Sequence, residues 1–549
     1  MLNPLRILEA QTAATEIRGG QAGGISSIEY SAPTSGTSSY ESRFGGSRDP
    51  TAHIFRVRCV ARKRYPLARD LAGKFLRLNG REPDPSIAVT FVGHTRFATS
   101  SVNVESELHP HEWVPPRKEN VWRMSSLGKM ERSSVSYCLH LSHNGDFDAL
   151  EMYSTTVVNG DIGLWLTRVL HHENTTKGDS AKLAGMMDVV RVQGRWPAAV
   201  RLAYTRILRS VNDVCDGLPL TRDAPNTFPP WEYFEDWANA VFEPAWSMHK
   251  NSIIRMLTND KKHSPEYSID RLAEKQMIAV ILKSMDQYLT HFDVLNWSKK
   301  EKISFVSIAV RSFLRNDLYA SLTEILARAE GSFGIQTHCT IETGVVAIAS
   351  KGQPMSVAFS PDLPICLYGS EAEAIAVPVD VDGGWLPERI DLDSKGEVMR
   401  LGRPRAMVEG DYTHVVIHPH SSGQEEKSSG GSYSARGAGG VLGGKESAER
   451  RVPEKEKKEK LRQNIAKIVT NTDFGTRAGI RMRGGIEILS YSLVTNAEAK
   501  GQELVDRAVT INSAPIPYDP KADLVKEDLA MLPGIIEAVD KGECVGVYV

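Results

Sequence analysis

The spacing of apolar residues divides this chain into three blocks. In the first, "LRILEAQTAATE" reads as a helix, and "IFRVRCVA" (54–61) alternates as a strand does. "YPLARDLAGKFLRLNG" places its apolar residues on one helical face, with Gly80 just past the end. "SIAVTFVGHTRFAT" and "VSYCLHLSHNGDF" each predict an apolar strand running into a polar loop, and the two loops are expected at one edge of a sheet. The Ser/Gly/Pro-rich stretch "APTSGTSSYESRFGGSRDPT" predicts a further loop.

The second block, 166–330, is mostly helical in pattern and reads as a helical insertion. "IDRLAEKQMIAVILKSMDQYLTHFDVL" sets Leu272, Ile278, Ile281, Met285 and Leu289 at helical spacing. "NDLYASLTEILARAEG" predicts a helix from the caps Asn316 and Asp317 to Gly331. "DGLPLTRDAPNTFPPWEYFEDW" reads as an irregular Pro-rich connection. In the third block the period shortens. "GSFGIQTHCTI", "GVVAIAS", "MSVAFSP", "ICLYGS", "AEAIAVPVD", "ERIDLD", "VMRLG" and "HVVIHPH" predict strands up to 420 that complete a sheet begun before 160. Residues 421–462, Ser/Gly-rich and then charged, predict a disordered linker. Within it, "GVLGGKE" misses a phosphate-binding loop because Glu446 stands where Ser or Thr is needed. Residues 463–549 read as a partial α/β segment that breaks off in mid-pattern.

Composition narrows the classes. At 549 residues the chain has length for roughly three to four domain-sized units. Lys plus Arg is 66 and Asp plus Glu is 68, which gives no electrostatic reason to expect nucleic acid or a membrane surface. No apolar run reaches the roughly 18–20 residues of a membrane span, and the N-terminus lacks the features of a secretory signal. The six Cys show no C-x-x-C spacing and read as reduced thiols, so a cytoplasmic location is expected.

Two stretches carry dense polar chemistry: "HTRFATSSVNVESELHPHEW" (94–113) and "HLSHNGDFDAL" (140–150). One reading makes His109, His111, His140 and His143 metal ligands of a hydrolase. Arg96, Thr99 and Asn144 argue against it, because a cation beside the ligands repels the metal. The other reading is a receiver for an amino acid. Arg96 offers a planar fork to an α-carboxylate and Thr99 a hydroxyl to the same end. The Asn144 side-chain amide and the Gly145 N–H suit an oxyanion hole. Asp161, opening a helix in "VVNGDIGLWL", suits an α-ammonium group.

"GHTRFAT", "ELHPH" and "HNGD", in this order, resemble the glutaminase domain of class II glutamine amidotransferases, which are N-terminal-nucleophile hydrolases. The likeness is nearest to the glutamine–fructose-6-phosphate aminotransferase branch, which makes glucosamine 6-phosphate. "RGGQAGG" (18–24) resembles that family's Arg-Gly-x-Asp-Ser-Ala-Gly stretch, and "GSFGIQ" opens a segment like its second strand block. The resemblance covers 1–165 and 331–420. It implies an α+β fold, a four-layer αββα sandwich interrupted by the helical insertion. It implies Asn144 and Gly145 as the oxyanion hole, Arg96 and Thr99 as carboxylate binders, Asp161 as ammonium acceptor and Arg18 as a residue ordering the site. His109 and His111 become structural. The implied reaction is glutamine hydrolysis through a thioester, without metal or cofactor. Ammonia then passes to fructose 6-phosphate at an isomerase domain missing from the chain or held elsewhere, and the oligomeric state is left open.

The chain departs from that pattern. Phe97 stands where this branch has Trp, Ser100-Ser101 replace His-Gly, and Gly20-Gln21-Ala22 alter the first motif. The family attacks with an N-terminal Cys whose own α-amine is the base. Here the chain begins Met-Leu-Asn and its first Cys is Cys59, so the nucleophile segment is expected to be missing. A catalytically silent glutamine-binding or scaffold domain is therefore a second expectation, and the His-based hydrolase a third.

Overall fold

The structure, a computed structural model, describes residues 3–30, 52–61, 66–80, 88–96, 105–114, 119–124, 130–135, 137–152, 155–168, 178–207, 231–258, 268–288, 299–342, 344–360, 363–402, 477–481, 487–493 and 509–510. The expected loop in 31–50, the strand "HVVIHPH" and the linker 421–462 lie outside them.

Helix α1 (Pro4–Gly19) starts where Asn3 Oδ1 accepts from the Leu5 N–H at 2.9 Å and Pro4 supplies a preset φ. It leads into β1 (Ala22–Tyr30), which lies between β2 (Ala52–Val60) and β3 (Ala88–Arg96) in an antiparallel three-stranded sheet. Helix α2 (Leu67–Asn79) joins β2 to β3 and stops at Gly80. There φ is 75°, a conformation that costs glycine nothing, and the Gly80 N–H caps Leu76 O at 3.0 Å. Leu5 and Leu8 of α1 and Leu67, Leu71 and Phe75 of α2 bury one face of this sheet with Ile25 and Val57.

Next come β4 (His111–Trp113), the hairpin β5 (Glu119–Met124) and β6 (Met130–Val135), then β7 (Leu139–Met152), β8 (Thr155–Val158) and α3 (Asn159–Arg168). A helical run follows: α4 (Asp179–Val190), α5 (Trp196–Ile207), α6 (Trp231–Trp237), a π-turn at Ala238–Phe242, α7 (Glu243–Thr258), α8 (Ser268–Tyr288), α9 (Lys299–Arg315) and α10 (Leu318–Leu326). Strands β9 (Ala329–Cys339), β10 (Val345–Lys351), β11 (Ser356–Phe359) and β12 (Cys366–Gly369) precede the short α11 (Ala372–Ile375), β13 (Glu388–Asp391) and β14 (Glu397–Gly402). From the tail, β15 (Arg477–Arg481) and β16 (Glu487–Ser492) extend one sheet and β17 (Val509–Thr510) another.

The largest sheet has the order β15-β16-β14-β10-β9-β7-β4, with β8 also on β7. A four-stranded sheet has the order β12-β11-β13-β17. One face of β7 and β9, carrying Leu139, Leu141, Phe147, Phe333 and Ile335, shares a continuous core with the helices of the 179–326 run. The opposite face meets the two smaller sheets. His338 of β9 bonds Ser26 of β1 at 2.8 Å and Thr90 of β3 at 3.0 Å. Val346, Ile348 and Met399 of the large sheet bury Val357, Phe359 and Ile390 of the four-stranded one. Helix α1 covers both smaller sheets from outside: Leu5 and Leu8 face one, while Ile7 joins Ala358 and Leu367 of the other. The molecule is thus α+β with antiparallel sheets packed face to face. No helix among the described residues is long and apolar enough to cross a membrane.

The helical run also buries charge. Asp188 accepts from Arg195 and Arg201, each at 3.1 Å, and Glu342 accepts from Arg191 at 2.6 Å. Glu342 takes the Leu318 N–H at 2.7 Å as well, which ties the start of α10 to the same network.

Several expectations need correction. The polar stretches 93–96 and 143–146 are strand, not loop, and they belong to different sheets. They stay extended because neighbours pair with them: β3 with β1, and β7 with β9 and β4. The helix expected to run from 316 to Gly331 ends at Leu326, and the chain turns directly into β9. "AEAIAVPVD" contains the helical turn α11 rather than a strand, and Trp231–Trp237 of the expected irregular connection is helix α6.

Candidate functional site

Arg96 is the last residue of β3. Its carbonyl accepts from Gln21 N–H at 3.3 Å, and Gly20 bridges to it, so the "RGGQAGG" turn lies against the backbone of "HTR". The Arg96 Nη1 donates to Glu107 O at 2.8 Å, which holds the 105–111 segment beside β3. That segment comes very close to β1: a Cβ on Gly24 would stand 2.1 Å from His109 O, so only glycine fits.

The approach stacks imidazoles. The ring centroids of His94 and His109 are 4.2 Å apart, and those of His109 and His111 4.7 Å. His109 Nδ1 accepts from the His143 N–H at 3.1 Å, linking this group to β7. His143 Nε2 lies 3.2 Å from the Ser332 carbonyl, so it carries the proton, and Nδ1 faces the Ser180 hydroxyl at 3.1 Å as acceptor. Burial lowers these basicities. His94 is held down to about 3, by burial first and then by Arg96 and His143. His111 is also held down to about 3, by burial and then by Arg58 and Arg56. His109 lies well below the ordinary histidine value for the same leading reason. Of the three, His109 has a hydrogen bond to β7, and burial disfavours a charge on any of the rings.

Asn144 and Gly145 follow on β7. Asn144 Nδ2 donates to the side-chain carbonyl of Gln353 at 3.2 Å. Gln353 Nε2 in turn donates to Ser332 Oγ at 3.2 Å, and that hydroxyl accepts the Asp146 N–H at 3.3 Å. Gly334, opposite Asn144 in the β7–β9 ladder, leaves room for this side-chain pair. Gly145 has φ 115°, and a Cβ there would fall 2.1 Å from Ser332 O. Both the conformation and the close approach therefore require glycine.

The remaining expected residues fare unevenly. Arg96 and Asn144 are joined indirectly: Arg96 lies close enough to His109 to depress it, and His109 bonds the residue before Asn144. Asp161 is half-buried in the first turn of α3, and the contacts among the described residues tie it to neither. The acid that reaches β7 is Asp179, whose Oδ2 accepts the Phe147 N–H at 3.1 Å and whose charge raises His143. Thr99 and the Arg18 side chain lie outside the described residues. Sequence reasoning missed Gln353, Ser332, Ser180 and Asp179. Ser332 sits in "GSFGIQ" and Gln353 in the strand block that follows it, but neither stood out as a site residue.

The four histidines of the metal reading do not converge. His143 stacks on Phe333 at 5.4 Å. His140, an odd number of residues away, projects from the other face of β7, with its ring 5.7 Å from His338. There Cys138 Sγ is 3.3 Å from His140 Nε2 and 3.3 Å from Glu112 Oε1. Burial opposes ionisation of Glu112, but the His140 imidazole 3.8 Å away and the nearby Arg56 outweigh it and hold the carboxyl down to about 2. Burial first, and then Glu112, raise the Cys138 thiol well above its usual value.

Compared with protein-family models and with curated proteins, the chain matches none.

Proposed function

We propose that the Arg96–Asn144 region binds the free amino acid L-glutamine, as the glutaminase domain of a class II amidotransferase of the N-terminal-nucleophile type does. One observation carries this reading. The Asn144 amide already donates to the carboxamide oxygen of a glutamine side chain, Gln353, at 3.2 Å. A bound L-glutamine would offer the same group. One large antiparallel sheet packed face to face against two smaller ones, with helices on the outer faces, is compatible with the layering of this fold type, which adds support. The backbone contact of the 20–21 turn with Arg96 brings two of the motifs that carry the resemblance side by side.

In this reading Arg96 holds the α-carboxylate and Asn144 with Gly145 polarises the amide. Thioester formation needs a thiol, and the described thiols lie elsewhere. Cys59 joins the α2 core. Cys138 is six residues from Asn144, about 20 Å along an extended strand. Cys339 pairs opposite Leu139 and Cys366 sits in β12. Hydrolysis at this site therefore draws its nucleophile from beyond the described residues. Transfer of ammonia to a sugar phosphate rests on the resemblance alone. The same placement of thiols favours a second reading, in which the site binds glutamine without hydrolysing it.

The test is calorimetric titration of the full chain with L-glutamine, L-glutamate and L-asparagine. L-Glutamine is expected to bind best. Arg96→Ala is expected to weaken it by about 1.5–3 kcal/mol, the worth of a hydrogen bond to a charged group, or roughly 10–150-fold. Absence of binding, or affinity indifferent to both Arg96→Ala and Asn144→Ala, overturns the reading. A separate glutaminase assay on the same protein distinguishes hydrolysis from binding alone.

A further inference from the structure

We propose that Glu112, Cys138 and His140 form a binding site for one divalent cation of the zinc class. The backbone sets it up. Glu112 of β4 lies directly opposite His140 of β7 in the antiparallel register, and Cys138 precedes His140 by two residues, so all three side chains leave one face. Among the described residues, one group of His, Cys, Asp or Glu brings three ligand atoms within 4.8 Å of one another, and it is this one.

The separations match a tetrahedral ion. Zinc bond lengths of about 2.3 Å to sulfur and 2.0–2.2 Å to nitrogen and oxygen, at tetrahedral angles, require ligand atoms about 3.4–3.6 Å apart. Sγ–Nε2 and Sγ–Oε1 are each 3.3 Å, and Nε2–Oε1 is 3.8 Å. Shifts of a few tenths of an ångström place all three at bonding distance. The carboxylate is also divided in function. Arg56 pairs with Oε2, which leaves Oε1 turned towards the sulfur and the imidazole. The His140 Nδ1 has no hydrogen-bond partner among the described residues, where the contacts at Nε2 set the ring's orientation.

The chemistry selects the ion. A thiolate, an imidazole and one carboxylate suit zinc and cobalt and disfavour magnesium and calcium, which take all-oxygen shells. Binding displaces the thiol proton; the thiolate and the carboxylate bring two negative charges to the ion, while the Arg56 guanidinium, on the outer carboxylate oxygen, leaves the group one positive charge in excess and tempers its affinity. The Glu112 side chain is 30% exposed and opens the otherwise buried group to solvent, and three protein ligands leave a fourth position for water. The site shares a face of β7 with Asn144 but lies four residues along the strand from it, and it uses none of the contacts on which the glutamine reading rests.

The test is titration of the full chain, treated with chelator and kept reduced with a phosphine, with Co²⁺ and then Zn²⁺. One equivalent of Co²⁺ should produce a near-ultraviolet thiolate-to-metal charge-transfer band that Zn²⁺ abolishes. Cys138→Ser should remove the band and Cys339→Ser should keep it. Glu112→Gln, at a partly exposed position that the fold tolerates, should weaken Co²⁺ affinity by roughly tenfold or more, at least the loss seen on removing even an outer partner of a metal ligand. No band in the wild-type chain, a band that survives Cys138→Ser, or unchanged affinity in Glu112→Gln overturns the proposal. Because wild type and Glu112→Gln are read independently of Cys138→Ser, a misfolded serine variant leaves the test decisive.

Discussion

Replacing Gln353 with alanine probes the amide site most directly. In the structure its carbonyl accepts from Asn144 Nδ2 at 3.2 Å and its own amide donates to Ser332 Oγ at 3.2 Å. A ligand amide that uses Asn144 must first displace that carbonyl. An intramolecular hydrogen bond of this kind contributes about 0.5–1.5 kcal/mol net. Removing the competitor should therefore tighten L-glutamine by roughly 2–13-fold. The same change loses two half-buried hydrogen bonds, so unfolding should become easier by about 1–3 kcal/mol while binding improves. Titration calorimetry on Gln353→Ala, Asn144→Ala and the double variant supplies a cycle in which the gain disappears once Asn144 is gone. If Gln353→Ala weakens glutamine, or tightens it equally without Asn144, the competition argument fails.

Three further outcomes are expected. Gly145→Ala should lower the unfolding free energy read from denaturant titration by more than the roughly 1–3 kcal/mol of a disfavoured positive φ, since the new methyl also meets Ser332 O at 2.1 Å; a loss below 1 kcal/mol, roughly the lower bound of that range, would contradict the geometry. Asp188→Asn leaves Arg195 and Arg201 buried without their shared anion and should cost about 3–5 kcal/mol in chemical denaturation, whereas an unchanged midpoint would mean the pairs carry little. His111, held down to about 3 in the folded chain against an unfolded value near 6.5, contributes stability that is complete above pH ~6.5 and is lost as pH falls towards 3. The slope is about 1.4 kcal/mol per pH unit for this group, and urea midpoints from pH 7 to 4 should decline less steeply in His111→Gln; parallel slopes would rule the linkage out.

Periodicity exposed the elements whose burial follows one rule. The amphipathic face of α2 with its glycine stop, and strands β9 to β14 with their short apolar runs, were legible because side-chain pattern and backbone state agree there. The polar strand segments were not legible. "HTR" and "HNGD" carry turn-forming residues, and what keeps them extended is pairing to strands far away in sequence. Arg96, Asn144 and Gly145 stood out as chemistry, but Gln353 did not. A single glutamine in "SKGQPMS" has no local mark, and only the β7–β9–β10 arrangement brings it to Asn144. Register hides in the same way. Nothing in "HEW" and "YCLH" tells that Glu112 falls opposite His140 rather than one step aside. Polar residues in the helical run misled for another reason. Asp188, Arg195 and Arg201 look like surface on a one-letter reading, and become core only because each finds its counter-charge inside.

Helix α1 serves two sheets at once, with Leu5 and Leu8 on one side and Ile7 on the other. Beneath it the Tyr368 hydroxyl of β12 donates to Phe91 O of β3, so the sheets also touch each other. A single splint laid across two boards makes them loosen together. Deuterium uptake in β1–β3 and in β11–β12 should rise in step when this helix is destabilised, as one cooperative opening unit and not as two.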